Sequence, residues 1–324
     1  MDSEMDQWLE MLRSPNVDDR LVAVKSLQHI GDEEIFAPLL EAVKDESPLV
    51  QKLAVTTLWE LANPAAVPAL VECLSSPVED IREEARSALG ELVAPDHLLL
   101  LLDALLRDDI NMQLNILFLL RKIHDVQCLP YVMPFFESTL PELREAAITT
   151  LRYLNQVERC EPALALMSDP EATVRRAAAL TLGHLADAEV VPILCKAVTD
   201  DPDWEVRRNA AKSLTSHASP DAIAALEKSA EDQHWQVRKF SLQALQKIAA
   251  DRTLPLFIKA LTDEYSDVRR EGVIAIRILN NPIALTPLQQ ALDDPDRDVC
   301  IFAQRAIQSI QDSIQDSIQE TSNA

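Results

Sequence analysis

The chain has 324 residues, of which 48% are hydrophobic but only 4% aromatic, with 4 glycines, 19 prolines and a formal charge of −23. So little glycine and so few aromatics, set among abundant Leu, Ala, Arg and Glu, exclude a β-rich fold and suit a succession of helices punctuated by proline. The negative charge excludes nonspecific attraction to nucleic-acid backbones or anionic membrane surfaces, because the summed field repels polyanions at long range.

The first segment, MDSEMDQWLEM, is acidic where a secretory signal is basic, and no apolar run reaches the length of a membrane span. A soluble, cytoplasmic protein without membrane insertion is expected. From there the chain repeats itself. Aligned on the Arg of VRRNAAKSL, the equivalent positions are Arg20, Gln51, Arg82, Gln113, Arg144, Arg175, Arg207, Arg238, Arg269 and Cys300, 31 residues apart except for a step of 32 between Arg175 and Arg207. Regular self-similarity over ten units signals stacked repeats.

Each unit predicts two helices. Around the anchor residue, apolar side chains at −1, +3, +7 and about +10 form one stripe of an amphipathic helix. Position +3 is usually small, as at Ala54, Ala210 and Gly272, so that a neighbouring helix can approach. Seventeen or eighteen residues after the anchor a proline recurs (Pro38, Pro68, Pro130, Pro162, Pro192, Pro255, Pro287) and starts a second apolar run. Proline is tolerated in a first helical turn. Acidic turns such as DDPDW and TDEYS then precede the next anchor helix, where carboxylates cap the chain and meet the positive end of the dipole.

This pattern, carried most clearly by DPEATVRRAAALTLGHLADAEVVPIL, resembles the HEAT family and, within it, the short HEAT-like repeats named after phycobilisome lyases. The resemblance covers about residues 5 to 310 and implies an all-α solenoid of about ten two-helix repeats. A single repeat body is expected over residues 1–310, with a helical extension fraying into a polar tail at 311–324. The same resemblance implies that the anchor arginines tie successive turns together by hydrogen bonds to acidic turn residues.

Repeat four, DDINMQLNILFLLRKI, has lost proline, arginine and the small residue, and its Leu114 and Phe118 stand at normally polar positions. They are a candidate docking patch, against the plainer reading of a repacked, more buried repeat. Further on, the +1 positions read Arg176, Arg208, Lys239 and Arg270. Stacked, they form a basic strip on one face, expected to be the concave one, able to hold carboxylates of a partner or ligand or to form salt bridges along the stack. Trp204, His234, Trp235 and Tyr265 lie just before the same helices and put aromatic side chains along one edge, a residue type favoured in interfaces. Packing at the helix caps accounts for them equally well.

The cysteines, Cys73, Cys128, Cys160, Cys195 and Cys300, form no CxxC pair and are expected to be reduced thiols. Cys300 holds the anchor slot of the last repeat, where arginine is dispensable, and is read as neither catalytic nor metal-binding. No glycine-rich phosphate loop, GxSxG or HExxH is present, and none of the six histidines is followed by glutamate as in the diiron site of HEAT-type deoxyhypusine hydroxylases. No catalytic or metal site is assigned. The tail SIQDSIQDSIQE puts Ile310, Ile314 and Ile318 near one helix face, to cap the end of the stack or grip a partner.

The resulting expectation is a non-catalytic scaffold, without cofactor, that presents repeats four to nine to another protein. Family relatives include a cyanobacterial partner of an A-type iron–sulfur carrier, so the resemblance implies an adaptor or chaperone-like role of that kind. The alternative it implies is an E/F-type phycobilin lyase or lyase subunit, attaching a linear tetrapyrrole to a phycobiliprotein cysteine or removing it. The basic strip would then meet the propionates and the aromatic edge the pyrroles.

Overall fold

The computed structural model describes residues 2–30, 35–154, 156–248 and 251–322, and every regular element among them is helical. They form two compact units, Met1–Gln156 and Val157–Ala324. In the first, helix Asp2–Met11 is followed by anchor helices Val17–Ile30, Pro48–Glu60, Glu79–Leu92, Ile110–Ile123 and Pro141–Leu151. The shorter helices Phe36–Ala42, Val67–Cys73, Leu98–Leu105 and Leu129–Val132 alternate with them. In the second, anchor helices Ala172–Leu182, Trp204–His217, Trp235–Lys247, Ser266–Leu279 and Arg297–Ser322 alternate with Glu161–Ala165, Val190–Asp200, Ile223–Ser229, Leu254–Ala260 and Leu285–Gln290.

The apolar columns of the repeat are the core. At +7, Leu27, Leu58, Leu89, Leu120, Leu182, Leu245 and Ile276 are wholly buried, as are Val50, Met112, Val174, Val206, Val237 and Val299 at −1. Each such side chain contributes roughly 1.5–3 kcal/mol by leaving water, but only because a neighbouring repeat covers it. The small +3 column faces the short helix that precedes it. A Cβ added at Gly272 would lie 2.9 Å from the Ala260 Cβ and 3.0 Å from the Phe257 carbonyl oxygen. Ala23, Ala54, Ala85, Ala147, Ala178, Ala210 and Ala303 are likewise fully buried, whereas repeat four fills this slot with Ile116.

Between repeats the anchor arginine recurs in one geometry. Arg207 donates from Nη1 to the Asp201 carbonyl at 2.9 Å, and from Nε and Nη2 to the two carboxylate oxygens of Asp232 in the next turn, at 2.7 and 3.0 Å. Arg20 with Asp45, Arg175 with Asp201, Arg238 with Asp263 and Arg269 with Asp294 repeat the bidentate pair. The aspartate does a second task, accepting from the backbone N–H two residues later, as Asp45 does from Ser47 and Asp232 from His234. That bond closes the turn into the anchor helix. All these arginine and aspartate side chains are 16% exposed or less. At this depth a planar guanidinium matched to a carboxylate is a strong, directional link.

The link is interrupted in the middle of the first unit. Gln51 and Gln113 carry no charge, and Ser76, Arg107 and Ser138 stand where the aspartates of other turns stand. Arg82 and Arg144 keep the carbonyl bond, to Ser76 and Ser138 at 2.7 and 2.8 Å. Gln113 makes the same bond to the Arg107 carbonyl at 2.8 Å, and the Cys300 thiol makes it to Asp294 at 3.1 Å. Cys300 is therefore an occupant of the anchor slot that keeps one of its three hydrogen bonds. In the same region helices Glu79–Leu92 and Ile110–Ile123 make the thinnest contact of any successive anchor pair in this unit.

Arg238→Ala, which strands the Asp263 carboxylate, is expected to lower unfolding free energy by about 2–3 kcal/mol in urea titrations, as for loss of one partner of a mostly buried charged hydrogen-bonded pair. Gln51→Ala, at a position without the link, is expected to cost less than about 1 kcal/mol.

Candidate functional site

The aromatic residues singled out in the sequence come together as one ridge in the second unit. His234 is the N-cap of helix Trp235–Lys247 and Tyr265 that of Ser266–Leu279, both with extended backbone, while Trp204 opens helix Trp204–His217. Because one repeat stacks on the next, these starts align. Trp204 stacks on His234 with centroids 3.6 Å apart and planes 18° apart; Trp235 stacks on Tyr265 at 5.2 Å and 14°. His234 and Trp235, 6.3 Å apart and nearly parallel, join the two pairs. Arg208 and Lys239 lie over the faces of Trp204 and Trp235, one helical turn on, at 5.2 and 5.9 Å. Arg238, whose guanidinium forms a link of the stack, lies 5.9 Å from the Tyr265 ring centre. Each cation over a ring face adds about 0.5–1 kcal/mol when exposed. The two tryptophans and His234 are half-buried and Tyr265 is 41% exposed, so the ridge is ordered and still open to solvent.

The basic strip is engaged along the stack. Arg176 holds Asp203 and Glu205 of the next repeat, and Lys239 holds Asp267 at 2.9 Å. Arg270 holds Asp267 from within its own helix at 2.6 Å, while Arg208 reaches Gln236 at 3.3 Å and Glu205 at 3.6 Å. The rule is a +1 cation facing the −2 residue of the next repeat, and Lys52 with Asp80, 2.8 Å apart, obeys it in the first unit. The partners Asp203, Glu205, Gln236 and Asp267 went unnoticed in the sequence because the acidic turns read there as helix caps alone. Arg176 and Lys239 hold Asp203 and Asp267 below the ordinary carboxylate range. Of the four cations, Arg208 and Lys239 also face rings of the ridge.

In repeat four Leu114 is half-buried and Phe118 is 47% exposed, and with the exposed Ile110 they form a stripe at four-residue intervals. The guanidinium groups of Arg86 and Arg121 lie 5.7 and 5.5 Å from the Phe118 ring centre. Burial pushes the Arg121 guanidinium below its usual range. In the tail, Ile310 is buried, Ile314 half-buried and Ile318 58% exposed on the continuous helix Arg297–Ser322.

The five cysteines are free thiols. Burial raises Cys73 and Cys128 to about 11 and also raises Cys160 and Cys195, which starves them of the thiolate that nucleophilic or metal-binding chemistry uses. Among the described residues no three His, Cys, Asp or Glu side chains converge as a metal-binding group, and no helix is long and apolar enough to cross a membrane.

A family model for HEAT repeats matches residues 5–90, 160–239 and 228–310. The chain belongs to the HEAT-repeat family. It is 28% identical over 195 residues to the uncharacterized phycocyanin operon protein Y of Pseudanabaena tenuis, covering 56% of this chain and 46% of that protein. To deoxyhypusine hydroxylase it is 34% identical over 120 residues in Schizosaccharomyces pombe, covering 34% of this chain and 37% of the relative. To the human enzyme it is 27% identical over 243 residues, covering 66% and 80%. The chain thus spans less than half the length of the Pseudanabaena and Schizosaccharomyces relatives. None of this chain's six histidines precedes a glutamate.

Among solved structures, an engineered protein aligns with a TM-score of 0.56 at 20% identity, covering 95% of this chain and 98% of its own. A chain from the structure of Kap95p with RanGDP aligns with a TM-score of 0.61 at 14% identity, covering 94% and 50%. At these identities the likeness is one of fold.

The ridge has a pH signature. Burial lowers His234 from 6.5, reinforced by the nearby Arg207, Arg208 and Arg238 and opposed by Asp232. Its Nδ1 accepts the Gln236 backbone N–H at 3.3 Å, which the neutral ring can do and the imidazolium cannot. The neutral form is thus favoured in the folded state. Its stabilisation is complete above 6.5 and is lost as pH falls through the lowered folded value. NMR titration is expected to place His234 below 6.5, and Trp204→Ala, which opens the stack, to move it back upward.

Proposed function

We propose that this HEAT-repeat protein is a non-catalytic scaffold that binds another protein through the ridge Trp204–His234–Trp235–Tyr265. The observation that carries the reading is the continuous aromatic stack, ordered across three repeats by ring contacts and left accessible along one edge. Large aromatics held rigid lose little conformational entropy on binding, which is why they anchor interfaces. The fold supports it, since a matched chain comes from a complex in which Kap95p binds RanGDP. The internal ion pairs of Arg176, Lys239 and Arg270 favour a partner recognised by stacking and shape over one recognised by bulk negative charge. An iron–sulfur carrier and a phycobiliprotein are the two partners the family relationship puts forward, and a cytoplasmic location fits both.

The second reading, a phycobilin lyase or lyase subunit, draws on the relative from a phycocyanin operon. A bilin would stack its pyrroles on the ridge and place its propionates at Arg208 and Lys239, displacing their internal partners. The chain would then act by orienting bilin and acceptor thiol.

One set of proteins tests both. A photo-crosslinking amino acid at Tyr265 is expected to give a discrete adduct with the phycobiliprotein or carrier, lost in the Trp204→Ala/Trp235→Ala double variant; the same reagent at Leu99, exposed in the first unit, is expected to give none. Absence of any adduct at Tyr265 with either partner would overturn the scaffold reading. Mixing with phycocyanobilin decides the second: a visible band that shifts with the native ridge and not with the double variant supports it, and an unshifted band rejects it.

A further inference from the structure

The stack itself shows, several times over, what fits the groove between two successive turns. At Arg207 the groove holds about 440 Å³ and is lined by Asp201, Arg207, Lys228, Ser229 and Asp232. The guanidinium bridges it from the Asp201 carbonyl to the Asp232 carboxylate. At Arg238 the corresponding groove has Lys259 in the place of Lys228. These grooves carry their own cation.

The groove at Gln51, in the first unit, occupies the same columns and holds about 460 Å³, lined by Asp45, Glu46, Gln51, Glu72, Cys73 and Ser76 among others. Here the arginine is a glutamine and the lysine column holds Glu72. Among the described residues Gln51 makes no side-chain bond to the Asp45 carbonyl, six residues earlier, the bond that Gln113 and Cys300 make in their own turns. The two outer carboxylates are only loosely committed. Glu46 is 83% exposed and 3.3 Å from Arg20, and Glu72 is 58% exposed with Arg107 at 2.7 Å. Surface pairs of this kind contribute about 0–1 kcal/mol and exchange readily.

We propose that the Gln51 groove receives an arginine side chain from a basic segment of a partner protein. The guanidinium takes the slot its counterparts fill from within the chain, donating to the Asp45 carbonyl, with Glu46 and Glu72 as its anions. The methylenes lie over Cys73, Val78 and Ile81, and Lys44 also lines the groove, its ammonium 3.6 Å from Glu41. A chain of net charge −23 draws a basic segment in. Arginine is selected over lysine because its five donors reach the Asp45 carbonyl and both carboxylates together, whereas an ammonium's three donors leave from one atom. This site is independent of the aromatic ridge, which lies in the other unit.

The test uses the full chain and a short Gly/Ser peptide bearing one arginine, with lysine and citrulline versions as controls, followed by NMR at low salt. The arginine peptide is expected to shift the Gln51 side-chain amide and the Ser75, Ser76 and Val78 backbone amides, with a half-saturation at least about fivefold below that of lysine and with no response to citrulline. Gln51→Arg with Ser76→Asp, which rebuilds the internal pair, is expected to raise Tm and abolish the backbone shifts. The exposed pair Glu46→Gln and Glu72→Gln is expected to weaken binding about threefold or more without changing Tm. Equal responses to arginine and lysine, no shift at these amides, or full affinity in the Glu46→Gln/Glu72→Gln variant would overturn the site.

Discussion

The second unit is held together by a guanidinium that reaches forward one repeat at each of its anchor arginines. A two-helix unit of this size has an apolar stripe on each side and no way to cover both; stacking covers them, but hydrophobic contact alone does not set the register. The arginine does, because its fork fits the next turn's aspartate in one orientation and its third donor fixes it to its own turn. The same aspartate starts the following anchor helix. One pair thus joins two repeats, closes a turn and aims a helix.

In the second unit, where the pair recurs, two further kinds of contact recur beside it. The +1 cations fall opposite the −2 side chains of the following repeat, and the helix starts align closely enough for rings on different repeats to touch. At Gln51 a groove lacks the guanidinium that bridges its counterparts, and the repeat anchored by Gln113 carries the apolar stripe of Ile110, Leu114 and Phe118.

Much of this was legible in the amino-acid sequence. The 31-residue period located every anchor helix, and the apolar columns at −1 and +7 proved to be core, because periodicity records burial directly. Pro68, Pro130, Pro162 and Pro255 stand in first helical turns as expected. The stacking partners were less legible. Trp204 and His234 are 30 residues apart and Trp235 and Tyr265 likewise, one short of the period, so no column alignment brings them together; only the backbone path through the turn does. Salt bridging along the +1 strip was legible, as the ion pairs of Arg176 and Lys239 bear out, but its partners were not, since the acids that meet the strip also serve as caps and were already accounted for. The family model matches along the repeats, which establishes the fold and leaves the partner to the surface.

The stack of rings also has a mechanical meaning. Its members come from three different repeats, so its spacing follows the pitch of the second unit. The 3.6 Å contact between Trp204 and His234 leaves those two repeats no room to close further there, because ring atoms resist approach inside van der Waals distance. The ridge is in that sense a spacer as well as a surface.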